Sequence, residues 1–409
     1  MFSSTKIFSF FSFFFLSLCL CLAPCKAEIT DVTQRVIMPG LIHHRFVKHV
    51  SRGPVIINVL EADTQRGFAV RPALAQPNTI WAKATLPQIV SREEAVAGVN
   101  ANYFNNRGMP IGSLAIDREW ITGPIMRRAS VSIDKEGKLS FARPTVSGNL
   151  NVYKVERGNA LSAYFPPSKA PQFTLKVDNI NQPDSLSPGG ISFYNHWWQD
   201  KVSCGNNRSC VLVDGNGMVR MKVYATDSSQ PIQPTRTDYV LSALNDEPLQ
   251  SVFVGDKVAL SWYSFPDWSQ AMHVVGGGPY LISKGEIILN DAEEGFTAKS
   301  GIRNVAPRTA IGMTSPGRLI FLTADGRRND SVGLTLWELS ALLKEIGVSE
   351  GINMDGGGST TMVLNGQIVN NPSDSSGARS VSTALLLYKS NPHQSPWKSA
   401  SIPAGLGGP

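Results

Sequence analysis

The chain has 409 residues, 42% of them apolar, with 38 lysines and arginines against 32 aspartates and glutamates. That composition supplies a large core and excludes a disordered chain. The slight positive surplus excludes the dense basic stripe of a nucleic-acid-binding protein.

Lys6 is followed by an apolar run from Ile7 to Leu22, which closes at Pro24-Cys25-Lys26-Ala27. A charged start, an apolar middle and a small final residue read as a secretory signal peptide over residues 1–27, with Ala27 the last residue removed. The run is nearly long enough to cross a bilayer, so an uncleaved anchor is the alternative. Lipid attachment at Cys25 is disfavoured by Pro24 and by the lack of a polar tether. The predicted location is secreted, periplasmic or otherwise exported, with no stable membrane insertion after cleavage. Cleavage also removes Cys19, Cys21 and Cys25, leaving Cys204 and Cys210 on either side of Gly205-Asn206-Asn207-Arg208-Ser209. In an oxidising compartment these two are predicted to pair as a disulfide; two thiols alone cannot build a zinc site, and unpaired thiols are the other reading. Asn207-Arg208-Ser209 and Asn329-Asp330-Ser331 are glycosylation sequons, meaningful only in a eukaryote.

Beyond residue 27 most segments are short and alternating, such as Val55 to Leu60 and Arg220 to Tyr224, with turn residues at intervals of about ten, which predicts strands. Asp214-Gly215 and Asn365-Gly366 read as hairpin turns. A short helix is predicted after Thr85-Leu86-Pro87. A longer one starts at Thr335, where Thr335 and Glu338 form a capping box, Leu336, Leu339, Leu343 and Ile346 make the apolar stripe, and Gly347 stands where a C-terminal cap belongs. Arg308 to Met313 and Arg318 to Ala324 read as strands before this helix, and Gly351 to Asp355 as a strand after it. The strand–helix–strand unit predicts parallel flanking strands, with Asp325 and Asp355 emerging at carboxyl ends where ligands gather. The fold class expected is α/β (α+β): a mixed, strand-rich sheet with few helices, its strand–helix–strand unit carrying the site. Candidate linkers are Tyr164 to Pro171 and Asn181 to Gly190, and the Ser-, Pro- and Gly-rich residues 390–409 read as a disordered tail.

Asp355-Gly356-Gly357-Gly358-Ser359-Thr360-Thr361 carries the strongest chemical signal. Three successive glycines are entropically unfavourable unless backbone must approach something closely, and their N–H groups with the Ser359 and Thr360 hydroxyls suit a phosphate or sugar oxygen; a structural turn is the bland alternative. A second triplet, Gly276-Gly277-Gly278, follows His273, and two such loops could face each other across one cleft. His273 reads either as a proton carrier or as an imidazole bonded beside the sheet. Strand alternation would put Asn100, Asn102 and Phe104 on one face, where amides beside an aromatic suit a sugar or simply cap backbone. Arg308, followed by Thr309, can bind phosphate or be an ordinary surface arginine. No G-x-S-x-G, H-E-x-x-H, Walker or G-x-G-x-x-G motif occurs, which argues against serine hydrolase, zincin, nucleotide-hydrolase and dinucleotide-binding classes.

The ordered set Asn100-Ala101-Asn102-Tyr103-Phe104, Gly276-Gly277-Gly278-Pro279, Arg308-Thr309-Ala310-Ile311-Gly312, Asp325-Gly326 and Asn353-Met354-Asp355 through Thr361, then Asn365-Gly366, Asn370, Pro372-Ser373 and Arg379, resembles the phosphodiester glycosidase family from about Val36 to Tyr388. The resemblance implies one catalytic domain over residues 28–389 that hydrolyses the bond between an anomeric carbon and a phosphodiester oxygen. It further implies that Arg308, with Thr309 and Arg379 nearby, holds the phosphate, and that Gly277, Gly278, Gly356, Gly357, Gly358, Ser359 and Thr360 line the substrate. Asn102 and Asn370 would orient sugar hydroxyls. Asp355 and Asp325 are the candidate catalytic carboxylates, and His273 is a candidate acid. The family's Asn-Gly-x-Phe-Phe can match at Asn100 or Asn102; Asn102 is taken. No cofactor is certain, although Asp325 and Asp355 could share a calcium or magnesium ion. The expected partner is a phosphosugar or phosphorylated glycan, with no nucleic acid. A non-catalytic binding protein for a phosphosugar or cell-surface glycan is the second reading.

Overall fold

A computed structural model of the chain describes residues 28–64, 67–154, 170–183, 189–315 and 317–389. The expected leader, the expected tail and most of the Pro-rich stretch before Pro171 lie outside the described residues. The described chain is strand-rich, with two α-helices among the described residues, Leu86–Arg92 and Leu336–Glu345, and several sheets whose pairings are antiparallel except for Phe173–Ile180 with Ile191–Tyr194.

The largest sheet of the core has eight strands, in the order Ile29–Met38, Leu41–Val50, Gly53–Ala62, Leu319–Ala324, Arg308–Thr314, Val348–Asn353, Tyr280–Ser283 and Glu286–Ile287. Its central strands are apolar on both faces because both are covered. Leu60, Phe321, Ile311 and Ile352 point into one core with Val70, Val99, Leu385 and Leu387 of a five-stranded sheet and with Val131 and Val275 of another. Their neighbours Ile57, Val59, Ile320 and Leu322 point the opposite way, onto Leu336, Leu339, Leu342 and Leu343 of the longer helix. That helix begins as expected: the Thr335 hydroxyl accepts from the Glu338 N–H at 3.2 Å and the Glu338 carboxylate accepts from the Thr335 N–H at 2.8 Å. It ends at Glu345, two residues before left-handed Gly347.

The strand–helix–strand unit is present with a difference. Leu319–Ala324 and Val348–Asn353 run in the same direction, but Arg308–Thr314 lies between them, antiparallel to both. Two strands therefore end, at Asp325 and Asp355, beside the residue at which the third begins, Arg308. The site rests on this edge.

Residues 145–265 build a separate seven-stranded sheet with its own core around Leu150, Val177, Phe193, Val211 and Leu241. Cys204 and Cys210 are joined as a disulfide in this segment. The Asn365-Gly366 turn has both residues at positive φ, as a two-residue hairpin needs. One expectation fails: Asn100, Asn102 and Phe104 do not share a strand face. The strand ends at Asn100, where its pairing partners run out, and a new short strand, Tyr103–Phe104, pairs with Pro110–Ile111.

Candidate active site

Asp355 follows the strand Val348–Asn353 and is half-buried. Its Oδ1 accepts from the Gly356 N–H at 3.0 Å, and the Ser359 side chain also bonds the carboxylate. Burial outweighs these bonds and raises the carboxyl to about 6. Asp325, at the end of Leu319–Ala324, the parallel strand next but one in the sheet, is fully buried. Its oxygens accept from the Asn370 amide at 3.2 Å and the Asn371 N–H at 3.1 and 3.0 Å, and burial again raises it to about 6. The Asn370 amide also donates to Thr360 O at 3.2 Å, so Asp325 anchors the loop that Asp355 opens. Among the described residues, no three His, Cys, Asp or Glu side chains converge as a metal site.

The loop itself is a 3₁₀ turn over Gly357–Ser359. The Gly357 N–H donates to Pro307 O at 2.8 Å, whereas the Gly358 N–H has no protein acceptor among the described residues. Here glycine is needed for space. A Cβ on Gly358 would lie 2.1 Å from Arg379 Nη2, and one on Gly357 would lie 3.0 Å from Arg327 Nη2. Two guanidinium groups thus cover the loop. Arg379 is held in a fork by Asp374, at 2.7 and 3.1 Å. Arg327 is exposed and has no side-chain partner among the described residues. Ser359 and Thr360 are buried in the same turn, and Thr360 Oγ1 has no hydrogen-bond partner among the described residues.

Arg308 is only 2% exposed. Its Nε donates to Leu334 O at 2.9 Å and its Nη2 to Ile302 O at 2.8 Å and to Asn304 O, which leaves Nη1 uncommitted. Burial lowers the guanidinium to about 10, so it stays charged at neutral pH. Thr309 Oγ1 donates to Asn100 Oδ1 at 2.8 Å, and Asn100 Nδ2 donates to Asp355 O at 2.6 Å. Asn100 therefore fastens the Asp355 loop to two strands.

The remaining sequence candidates lie elsewhere or are committed inside the protein. Asn102 is buried, donating to Ser113 O at 3.0 Å and accepting from Thr383 Oγ1 at 3.2 Å. Asn370 has both ends of its amide engaged, since its Oδ1 accepts from the Met362 N–H at 2.8 Å. Gly276, Gly277 and Gly278 all donate to backbone carbonyls, and a Cβ on Gly277 would lie 2.5 Å from Asn353 O. This triplet packs against the strand that feeds the first, instead of facing it across a cleft. His273 is buried beside Asp117, whose N–H donates to Nδ1 at 3.1 Å, and burial lowers the imidazole to about 3. It is neutral at any ordinary pH.

Sequence reasoning missed Tyr103, Arg327 and Asp374. The Tyr103 hydroxyl donates to Gly278 O at 2.9 Å and accepts from Asn353 Nδ2 at 2.8 Å, and its phenol feels the charges of Asp355, Arg308 and Arg128. Its position three residues after Asn100 and the placement of Arg327 two residues after Asp325 were the available signals.

Residues 207–388 match the family described as phosphodiester glycosidase. The N-acetylglucosamine-1-phosphodiester alpha-N-acetylglucosaminidase of Mus musculus is 36% identical over 111 residues, covering 25% of this chain and 21% of that protein. The Homo sapiens protein of the same name is 35% identical over 111 residues, with the same coverage. The chain thus matches about a fifth of the length of these relatives. Among solved structures, a hypothetical protein from Synechocystis superposes with a TM-score of 0.73 at 24% identity, over 87% of this chain and 63% of that one. A Burkholderia pseudomallei protein described as exported gives 0.63 at 22% identity, over 82% and 74%. These two show a shared fold. Arg308, Asp325, the Asp355 loop and Arg379 all lie within residues 207–388, the region of the chain that matches the phosphodiester glycosidase family.

Proposed function

We propose that the protein hydrolyses a sugar-1-phosphodiester, releasing the sugar and a phosphomonoester. The carrying observation is Asp355, with its carboxyl raised to about 6, in a glycine loop covered by Arg327 and Arg379. Arg327, the Gly358 N–H and Arg308 Nη1 supply donors for the non-bridging phosphate oxygens, with Arg379 held ready by Asp374. Water attacks the anomeric carbon while the bond from that carbon to the phosphodiester oxygen breaks. The bond's electron pair leaves on the phosphate, and the proton of the attacking water passes to the Asp355 carboxylate. Asp325, enclosed by Asn370 and Asn371, positions the loop. A phosphate leaves readily, so His273, buried and neutral, is not required as an acid. Residues 28–389 act as one catalytic unit in this reading. Export is supported by the disulfide.

The test is release of reducing sugar from a panel of sugar-1-phosphodiesters by residues 28–409, with and without chelator, with Asp355→Asn as control. Release by the wild type alone supports the reading, and the chelator arm reports any need for calcium or magnesium. Saturable binding without product by a folded wild type overturns it in favour of a binding protein.

A further inference from the structure

We propose that Arg128 binds a second anionic group of the substrate, on the Tyr103 side of Asp355; the inference rests on the phosphodiester reading of that site. The Arg128 guanidinium carbon lies 4.2 Å from the centroid of Phe296 and 5.5 Å from that of Tyr103, and the two rings are 5.7 Å apart. The cation is thus held against an aromatic wall. Its Nε is buried with no partner, and the guanidinium makes no hydrogen bond or ion pair among the described residues. The nearest carboxylate influencing it, Glu294, is fully engaged: it accepts from the Ala129 N–H at 2.8 Å, the Tyr280 N–H at 2.7 Å and Arg143 Nε at 2.9 Å. A buried donor such as this Nε is unfavourable unless water or a ligand reaches it, and the planar fork of the guanidinium matches a carboxylate or phosphate.

The backbone reinforces the placement. Met126 and Arg127, which precede it, both adopt left-handed conformations, at φ 47° and 53°, although neither is glycine. The loop is pinned by the Arg128 N–H donating to Ile125 O at 2.9 Å and by Met126 packing on Gly295, where a Cβ would meet its sulfur at 2.5 Å. Local strain of this kind persists only where the surroundings enforce it.

Arg128 lies against the Tyr103 ring, whose hydroxyl end is fixed by Gly278 and Asn353, whereas the guanidinium groups over Gly357 and Gly358 are those of Arg327 and Arg379. An anion there is a different group from the phosphate over Gly358. The substrate class that fits is a sugar-1-phosphodiester whose other arm carries a further phosphate or carboxylate, as in a chain of repeating sugar phosphates.

The test compares two phosphodiesters of one sugar, with an ethyl or a 2-phosphoethyl arm, on wild type, Arg128→Gln and Arg128→Lys. The expected result is a wild-type preference in kcat/KM of tenfold or more for the 2-phosphoethyl arm, carried in KM. Arg128→Gln should bring that ratio to about one, and Arg128→Lys should leave it in between. An unchanged ratio in Arg128→Gln, or no wild-type preference, overturns the proposal. If the wild type turns over neither compound, the hydrolytic reading fails, and calorimetric titration with inorganic pyrophosphate still tests Arg128. Affinity falling at least tenfold in folded Arg128→Gln supports it, and equal affinity or no wild-type binding overturns it.

Discussion

Replacing Asp355 by asparagine is expected to make the protein more stable at neutral pH while abolishing turnover. The fold raises this carboxyl from its ordinary 3.8 to about 6, chiefly by burial. Between those values the unfolded chain ionises the group while the folded chain still holds the proton, so wild-type stability falls as pH rises from about 4 to about 6. Two pKa units correspond to at most about 3 kcal/mol, present in full above pH 6 and absent below the unfolded value. Asparagine has nearly the same shape, keeps an acceptor for the Gly356 N–H and carries no charge to desolvate. Urea unfolding of both proteins at pH 8 and pH 4 reads the difference directly. Asp355→Asn should gain stability at pH 8 and match the wild type at pH 4, other titrating groups cancelling in the comparison. Wild-type kcat/KM should rise through the same interval, as the carboxylate forms. An equal difference at both pH values, or a variant less stable at pH 8, would refute the claim that the ionised carboxylate is held against its own desolvation.

Arg327→Ala should lower kcat/KM tenfold or more while unfolding stability changes by less than about 0.5 kcal/mol, because this exposed side chain has no partner to lose among the described residues; turnover and thermal unfolding check both halves. Gly358→Ala places a methyl 2.1 Å from Arg379 Nη2 and 2.4 Å from Asp374 Oδ1, so that pair must shift. A fall in activity accompanied by about 1–3 kcal/mol of destabilisation is expected. The double substitution of Cys204 and Cys210 by alanine opens a short covalent loop and should cost about 2 kcal/mol in denaturant unfolding, with kcat unchanged.

What could be read locally in the chain came through. The Thr335/Glu338 capping box, the Asn365-Gly366 turn, the Cys204–Cys210 pair and the common direction of the strands before Asp325 and Asp355 all depend on neighbours within a few residues or on a handedness rule. Insertion of Arg308–Thr314 between those two strands depends on sheet order, which alternation does not encode. The same limit applies to side-chain use. Asn100 and Asp355 are 255 residues apart in sequence and 2.6 Å apart in space. Arg308 looked like a free cation because its three carbonyl acceptors come from irregular segments, Ile302, Asn304 and Leu334. Alternation assigns the aromatic role to Phe104 and leaves Tyr103 without one, since only the folded chain shows its hydroxyl fixed between Gly278 and Asn353.

The seven-stranded sheet leaves the core after Ala142 and returns before Ala271, on the antiparallel strands Thr145–Tyr153 and Lys257–Phe265, where Thr145 stands opposite Phe265. Its way out and its way back are therefore adjacent, about 5 Å apart as cross-strand partners are. Seen from the edge that bears Arg308, Asp325 and Asp355 this is a detour whose two ends meet, and it is fastened to the core along its way: Tyr194, Trp198 and Val202 pack with Leu74, Ile80 and Leu114, and Asn181 Nδ2 donates to Ile121 O at 2.9 Å. A change in the length of this excursion leaves its two points of attachment side by side but must preserve that shared packing.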